Sequence, residues 1–202
     1  MTTFLSLAFP SPRPIFGPMN MLIIILIAGA GLYVGGRWAH QRRKTEALLA
    51  APLPAEHRRI LRARVPVYRA LPFDFRKRLD GLINRFLAEK KFYGSGGLEI
   101  TEEMRVVIAA QACLLIVNKP NRWYATLKTI HVYPSVFTSN QARRDGHLVS
   151  EHRPVRSGES WARGPVILSW DQAAYGAFAA HDGQNVVFHE FAHQLDAETG
   201  VT

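Results

Sequence analysis

Val186-Val187-Phe188-His189-Glu190-Phe191-Ala192-His193-Gln194-Leu195-Asp196 sets H-E-x-x-H into an apolar run with helical periodicity. With 3.6 residues per turn, His189 and His193 fall one turn apart on one face, so two imidazoles reach one metal ion. Neutral imidazoles suit Zn²⁺, and an open coordination position keeps a water whose pKa zinc lowers towards about 7. Glu190 follows the first histidine directly, where it can hold that water instead of ligating. It would take the water's proton as general base and later pass one to the leaving amine. The pattern is a candidate zinc-hydrolase helix. The competing reading is a core helix with two structurally satisfied histidines. Local context favours the metal site. Asp182 or Gly183 is placed to cap the start, and Gln184 to Leu195 contains neither proline nor glycine. Val186, Val187, Phe188, Phe191, Ala192 and Leu195 can be buried around the histidines.

Upstream of the motif the pattern is mixed helix and strand. Phe75, Leu79, Leu82, Ile83, Phe86 and Leu87 recur at helical spacing and end near Lys91, after which Gly94, Gly96 and Gly97 make a loop. Thr101-Glu102-Glu103 starts a second helix, Met104 to Val117, apolar enough to be central; it carries Cys113, read as a buried helix residue and not a nucleophile. Ile130 to Tyr133 alternates as a short strand, with His131 a strand residue of no catalytic importance. Residues 138–154 are polar and read as a long loop, whose His147 and His152 are remote candidates for zinc ligands. Pro165 to Trp170 reads as another strand, and Asp171 to Ala180 as a short helix.

The N-terminal third differs in character. Residues 1–20 carry little charge and four of the chain's 12 prolines, and read as lacking fixed structure. Met21 to Gly36 contains no charge and, with Ile15 to Asn20, just reaches the roughly 20 residues of a membrane span. Arg37, Arg42, Arg43 and Lys44 follow it, which by the positive-inside rule keeps that flank and the main domain cytoplasmic. A signal peptide is the rival, since Ala28-Gly29-Ala30 resembles a cleavage site, but the basic cluster lies on the wrong side of the apolar run. Met19 and Met21 are alternative starts. Residues 37–70 read as a basic connector, helical from Ala55 to Val65 and interrupted by Pro66.

Charge follows the same division. Residues 37–91 hold 15 Lys/Arg against 5 Asp/Glu, whereas residues 92–202 hold 9 against 11. The basic excess starts directly after the apolar run, so it reads as a membrane flank or a solvated basic helix. No nucleic-acid-binding pattern accompanies it. A single cysteine excludes an intrachain disulfide and a thiol-based zinc cage.

Taken with the blocks that precede it, the motif resembles a known family. Phe86-Leu87-Ala88-Glu89-Lys90-Lys91-Phe92, Ile108 to Ala112, Val132-Tyr133-Pro134, Ser157 to Trp161, Gly164 to Trp170 and His189 to Asp196 are similar, in that order, to the bacterial Mlc titration factor A family, zinc-dependent peptidases of the gluzincin kind. The resemblance covers about residues 71–202. It implies an α+β, mainly helical, zincin-like domain whose small sheet has an edge strand, Gly164 to Trp170, bordering the active-site cleft, where an extended peptide substrate could pair. It implies His189 and His193 as zinc ligands and Glu190 as the catalytic residue. It also implies, as a partner, a glucose-responsive transcriptional repressor.

In that family the third ligand is a glutamate on a helix well beyond the motif, and the sequence stops nine residues after His193. The expectation is therefore a C-terminally incomplete zincin domain, a fragment of a longer protein or a truncated copy. Asp196, on the same helical face as the histidines, could orient a ligand from behind; direct ligation by Asp196 or Glu198 would need the helix to turn back. Three functions compete: a membrane-anchored metallopeptidase, an interaction module that binds zinc weakly or not at all, and a membrane adaptor with an accidental motif.

Overall fold

The structure is a computed structural model and describes residues 18–135, 164–179 and 185–199. The chain divides into two units, Met1–Lys44 and Thr45–Thr202. Helix α1 (Pro18–Ala50) is 33 residues long and runs across that division. In the first unit its apolar side chains from Met21 to Ile27, with Leu32, Tyr33 and Val34, are exposed. Among the described residues, Met21–Ala50 is the one helix long and apolar enough to cross a membrane. Pro18 stands at the first helical position, where a missing N–H is no loss, and no further proline follows until Pro52, beyond the helix.

In the second unit, α2 (Ala55–Arg64) and α3 (Pro66–Ala70) are separated only by Val65. Pro66 ends α2 because it has no N–H to give, and then opens α3 from its first position, where none is needed. Leu53, Leu61, Val65 and Tyr68 are all buried, so this basic stretch contributes directly to the core. Helix α4 (Phe73–Glu89) buries Leu79, Leu82, Ile83 and Phe86, an i, i+3, i+4, i+7 stripe. Gly81 lets it approach the last turn of α1: a Cβ there would lie 2.2 Å from the Leu49 carbonyl oxygen. Helix α5 (Glu102–Leu114) is capped by Thr101, whose hydroxyl accepts from Met104 N at 3.2 Å. Nearly every side chain from Met104 to Cys113 is buried, which makes α5 the central helix.

Three short strands form one parallel sheet in the order β1 (Lys91–Gly94), β2 (Thr129–Tyr133), β3 (Val166–Ser169). β1 was not expected, because Lys91-Phe92-Tyr93-Gly94 has only four residues and ends on glycine. Its pairing with β2 makes it a strand. Ile130, Val132, Val166 and Leu168 face the core, while Tyr93, His131 and Ile167 stand in register on the other face. There His131 stacks on Tyr93 at 5.5 Å, in the strand expected for it. Gly96 and Gly97, both at positive φ, turn the chain after β1.

Helix α6 (Trp170–Phe178) leaves β3 without a loop, one residue earlier than the sequence pattern suggests. Helix α7 (Val186–Thr199) carries the motif and packs against α5, α6 and β3. The result is mainly helical with a small three-stranded parallel sheet. Residues 138–154, with His147 and His152, lie outside the described residues, as do Asp182 and Gly183.

Candidate metal centre

Helix α7 begins two residues later than the sequence pattern suggests, and its cap is Asn185 instead of Asp182 or Gly183. Asn185 Oδ1 accepts from Phe188 N at 2.9 Å, and its carbonyl accepts the first helical bond from His189 N at 3.0 Å. Asn185 stands where a cap side chain can accept from an amide two or three residues on, here the third. Val187, Phe191 and Leu195 form the buried stripe, whereas Val186, Phe188 and Ala192 are only half-buried. Phe191 enters an aromatic cluster, 5.0 Å from the Tyr124 ring and 5.7 Å from that of Phe86. This stripe leaves His189, His193 and Asp196 on the opposite face, and all three are exposed.

On that face the two imidazoles meet edge to face, centroids 4.6 Å apart, with Nε2 of His189 and Nε2 of His193 separated by 3.2 Å. Two nitrogens sharing one tetrahedral ion at about 2.0–2.1 Å stand about 3.3–3.4 Å apart. The observed separation is close to that spacing, and both groups are nitrogen donors of a kind that a metal ion binds. The same separation also lets a ring N–H of one imidazole donate to the ring nitrogen of the other. Glu190 is half-buried and about 100° round the helix from His189.

Among the described residues no group of three His, Cys, Asp or Glu is close enough to hold a metal. Glu198 is committed elsewhere. Its Oε1 accepts from both Thr126 N, at 2.8 Å, and Thr126 Oγ1, at 3.0 Å. Nine residues past His189, it points to the opposite side of the helix from the imidazoles. Cys113 is fully buried on α5, and burial pushes its thiol pKa up, so it has no thiolate character.

Sequence reasoning missed the groups that hold α7 in place. Asn185 Nδ2 donates to Gln111 Oε1 at 2.8 Å and to Gly176 O at 2.9 Å, while Gln111 Nε2 donates to Ala173 O at 3.0 Å. A lone glutamine in the run Ala109-Ala110-Gln111-Ala112 was the available signal, since a polar residue on an otherwise apolar buried helix needs partners. At the other end, Lys90 is buried and its ammonium donates to the carbonyls of Tyr124 and Leu127. Burial pushes its pKa down to about 8. Glu89 beside it accepts from Arg85 and Trp123; burial opposes its ionisation, but these donors and the neighbouring charges prevail and lower its pKa.

Comparison with known proteins supports the family resemblance. The model of the glucose-regulated metallo-peptidase M90 family matches residues 38–202, beginning ahead of Leu71. An uncharacterized protein of Synechocystis sp. is 40% identical over 183 residues, which are 89% of this chain and 66% of that protein. Mlc titration factor A of Enterobacter sp. is 34% identical over 139 residues, 67% of this chain and 51% of its own length. Mlc titration factor A of Cronobacter sakazakii is 32% identical over 167 residues, 81% and 59% of the two chains. The chain thus spans about half to two thirds of the length of these curated relatives. With the family match covering most of its length, the chain belongs to the glucose-regulated metallo-peptidase M90 family.

Proposed function

We propose that this chain carries the active-site helix of a zinc-dependent peptidase of zincin-like fold, with His189 and His193 as two metal ligands and Glu190 as general base. The observation that carries the reading is the imidazole pair, whose ring nitrogens stand 3.2 Å apart on the exposed face of α7. When bound, zinc supplies Lewis acidity, which acidifies water and polarises a carbonyl. The chain's own residues do the rest. The two neutral imidazoles donate lone pairs from one face, and the buried stripe of Val187, Phe191 and Leu195 fixes that face outward. Glu190, next to the first ligand, takes a proton from the attacking water and delivers one to the leaving amine. The third ligand comes from outside the described residues.

Strand β3 supports a peptide as substrate. Among the described residues it lies at one edge of the sheet, bonded to β2 on one side, and packs against α7. An extended peptide would add to its other side through backbone hydrogen bonds, with the exposed Ile167 side chain beside it. The apolar stretch of α1 followed by Arg37, Arg42, Arg43 and Lys44 would anchor the chain in a bacterial inner membrane with the second unit in the cytoplasm.

A second reading rests on the relatives' name and on the two-ligand site. An Mlc titration factor A is by its name a protein that titrates Mlc, and a chain acting on a transcriptional repressor by binding alone would need no complete metal set. Substitution of Glu190 by Gln separates the two. The peptidase reading expects zinc retention with peptide hydrolysis lost, measured on the purified full chain with a fluorogenic peptide library. Hydrolysis equal to that of the native chain would contradict the assigned base. No hydrolysis by either chain, with repressor capture intact, would favour the binding role.

A further inference from the structure

We propose that Gln111 and Asn185 are positioning residues that set the register of α7 against α5 and α6, and so fix where the His189–His193 pair stands relative to the rest of the site. The proposal rests on the zinc reading above for its functional meaning, but its structural core is independent of it.

The argument starts from what a helix needs at its start. Asn185 Oδ1 satisfies Phe188 N, so the cap alone would use only one half of the amide. The other half is not left to solvent. Asn185 is buried, and its Nδ2 donates both to Gln111 Oε1 on α5 and to Gly176 O on α6. An aspartate could cap equally well but has no donor, and a serine or threonine carries only one hydroxyl proton, on the capping oxygen itself, so none of them replaces the two N–H groups of Nδ2. Gln111 is 1% exposed, and its Nε2 donates to Val107 O within α5 and to Ala173 O on α6. Three helices are thus pinned at one buried point, every bond directional, four residues before the first candidate ligand.

Gly176 completes the device. A Cβ at this position would lie 3.0 Å from Asn185 Cγ, so the close approach of α6 to the Asn185 amide depends on its absence. Apolar packing through Val187, Phe191 and Leu195 resists separation of α7 from the core, but the hydrophobic effect is non-directional and specifies its axial position less sharply. The directional bonds at Asn185 fix that position. Sliding or rotation of α7 would tilt both imidazoles relative to whatever completes the site, which is where the effect on metal affinity arises.

Two variants of the full chain in detergent micelles test this. Asn185→Ser keeps a capping oxygen and removes the Nδ2 amide that donates to Gln111 and Gly176; Gln111→Met keeps the volume and removes the bridge. The readouts are Co²⁺ affinity and its visible absorption, and the imidazole Hε1 resonances of His189 and His193 without added metal. Far-UV circular dichroism confirms that α7 is folded at the measuring temperature. Both variants should weaken Co²⁺ binding by about tenfold or more and shift or double the imidazole resonances. Resonances and affinity unchanged, with only the melting temperature lowered, would overturn the proposal and leave the amides a purely structural role. If the native chain binds no Co²⁺, the zinc reading fails. The imidazole resonances then decide the positioning role by themselves, displaced in both variants if it holds and unmoved if it does not.

Discussion

Replacing Lys90 with methionine should remove a pH-dependent component of stability that the native chain gains between about pH 8 and pH 10. Lys90 is 3% exposed, and its ammonium donates to Tyr124 O and Leu127 O, in the segment on which Phe191 and Glu198 of α7 rest. Burial lowers its pKa from 10.5 to about 8, against the smaller raising influence of Glu89. Below pH 8 both folded and unfolded states hold the proton, and the burial of charge counts fully against folding. Between the two pKa values the unfolded chain holds a proton that the folded chain has released, so stability rises with pH. At 1.36 kcal/mol per pH unit, the gain approaches roughly 3 kcal/mol across the interval. Tyr68, pushed up to about 12 mainly by burial and then by its bond to Asp80, works in the opposite sense above pH 10, where the unfolded phenol ionises first. Urea unfolding followed by tryptophan fluorescence, with Trp123 beside the ammonium, at half-unit steps from pH 7 to pH 10 measures the effect. The native chain should gain stability relative to Lys90→Met over this range; above about pH 9 the buried Cys113 thiol, whose pKa burial raises, works against folding in both proteins alike and cancels in the difference. Parallel curves for the two proteins would refute the argument.

Other perturbations read the support of α7 more directly. Glu198→Gln should cost about 1.5–3 kcal/mol through its weakened bonds to Thr126, while leaving zinc affinity unchanged in equilibrium dialysis; loss of zinc would instead make Glu198 a ligand. Phe191→Ala should destabilise by about 3–5 kcal/mol in chemical denaturation, because the ring is fully buried among Phe86 and Tyr124; a loss below about 1 kcal/mol would mean that the cluster does not hold the helix. Gly81→Ala should lower the melting temperature, as its Cβ would meet the Leu49 carbonyl at 2.2 Å, at a cost of about 1–3 kcal/mol.

The helical framework was legible because local periodicity and burial agree in α4, α5 and α7. The stripe Val187, Phe191, Leu195 decides which face of the motif helix is buried, and hence that the histidines face outward together. β2 was legible through alternation, and β3 as a short apolar run, Val166-Ile167-Leu168, after Pro165. β1 was not, since four residues carry too little pattern and their state depends on pairing with residues nearly forty positions later. The arginines around Leu61, Val65 and Tyr68 masked residues that belong to the core. At the site, residue type announced His189, Glu190 and His193, but their supports are long-range. Gln111 meets Asn185 across 74 positions, and Thr126 meets Glu198 across 72. No local rule reveals such partners, although the cap at Asn185 was within reach of the spacing rule for helix starts.

The central claim is that His189 and His193 together grip one zinc ion. Zinc content of the purified full chain after dialysis against buffered Zn²⁺, set beside a His189→Ala/His193→Ala double variant of confirmed helicity, tests it most directly. The account predicts about one zinc per native chain and none above background in the variant. Equal zinc in both proteins, or none in the native chain, would contradict it.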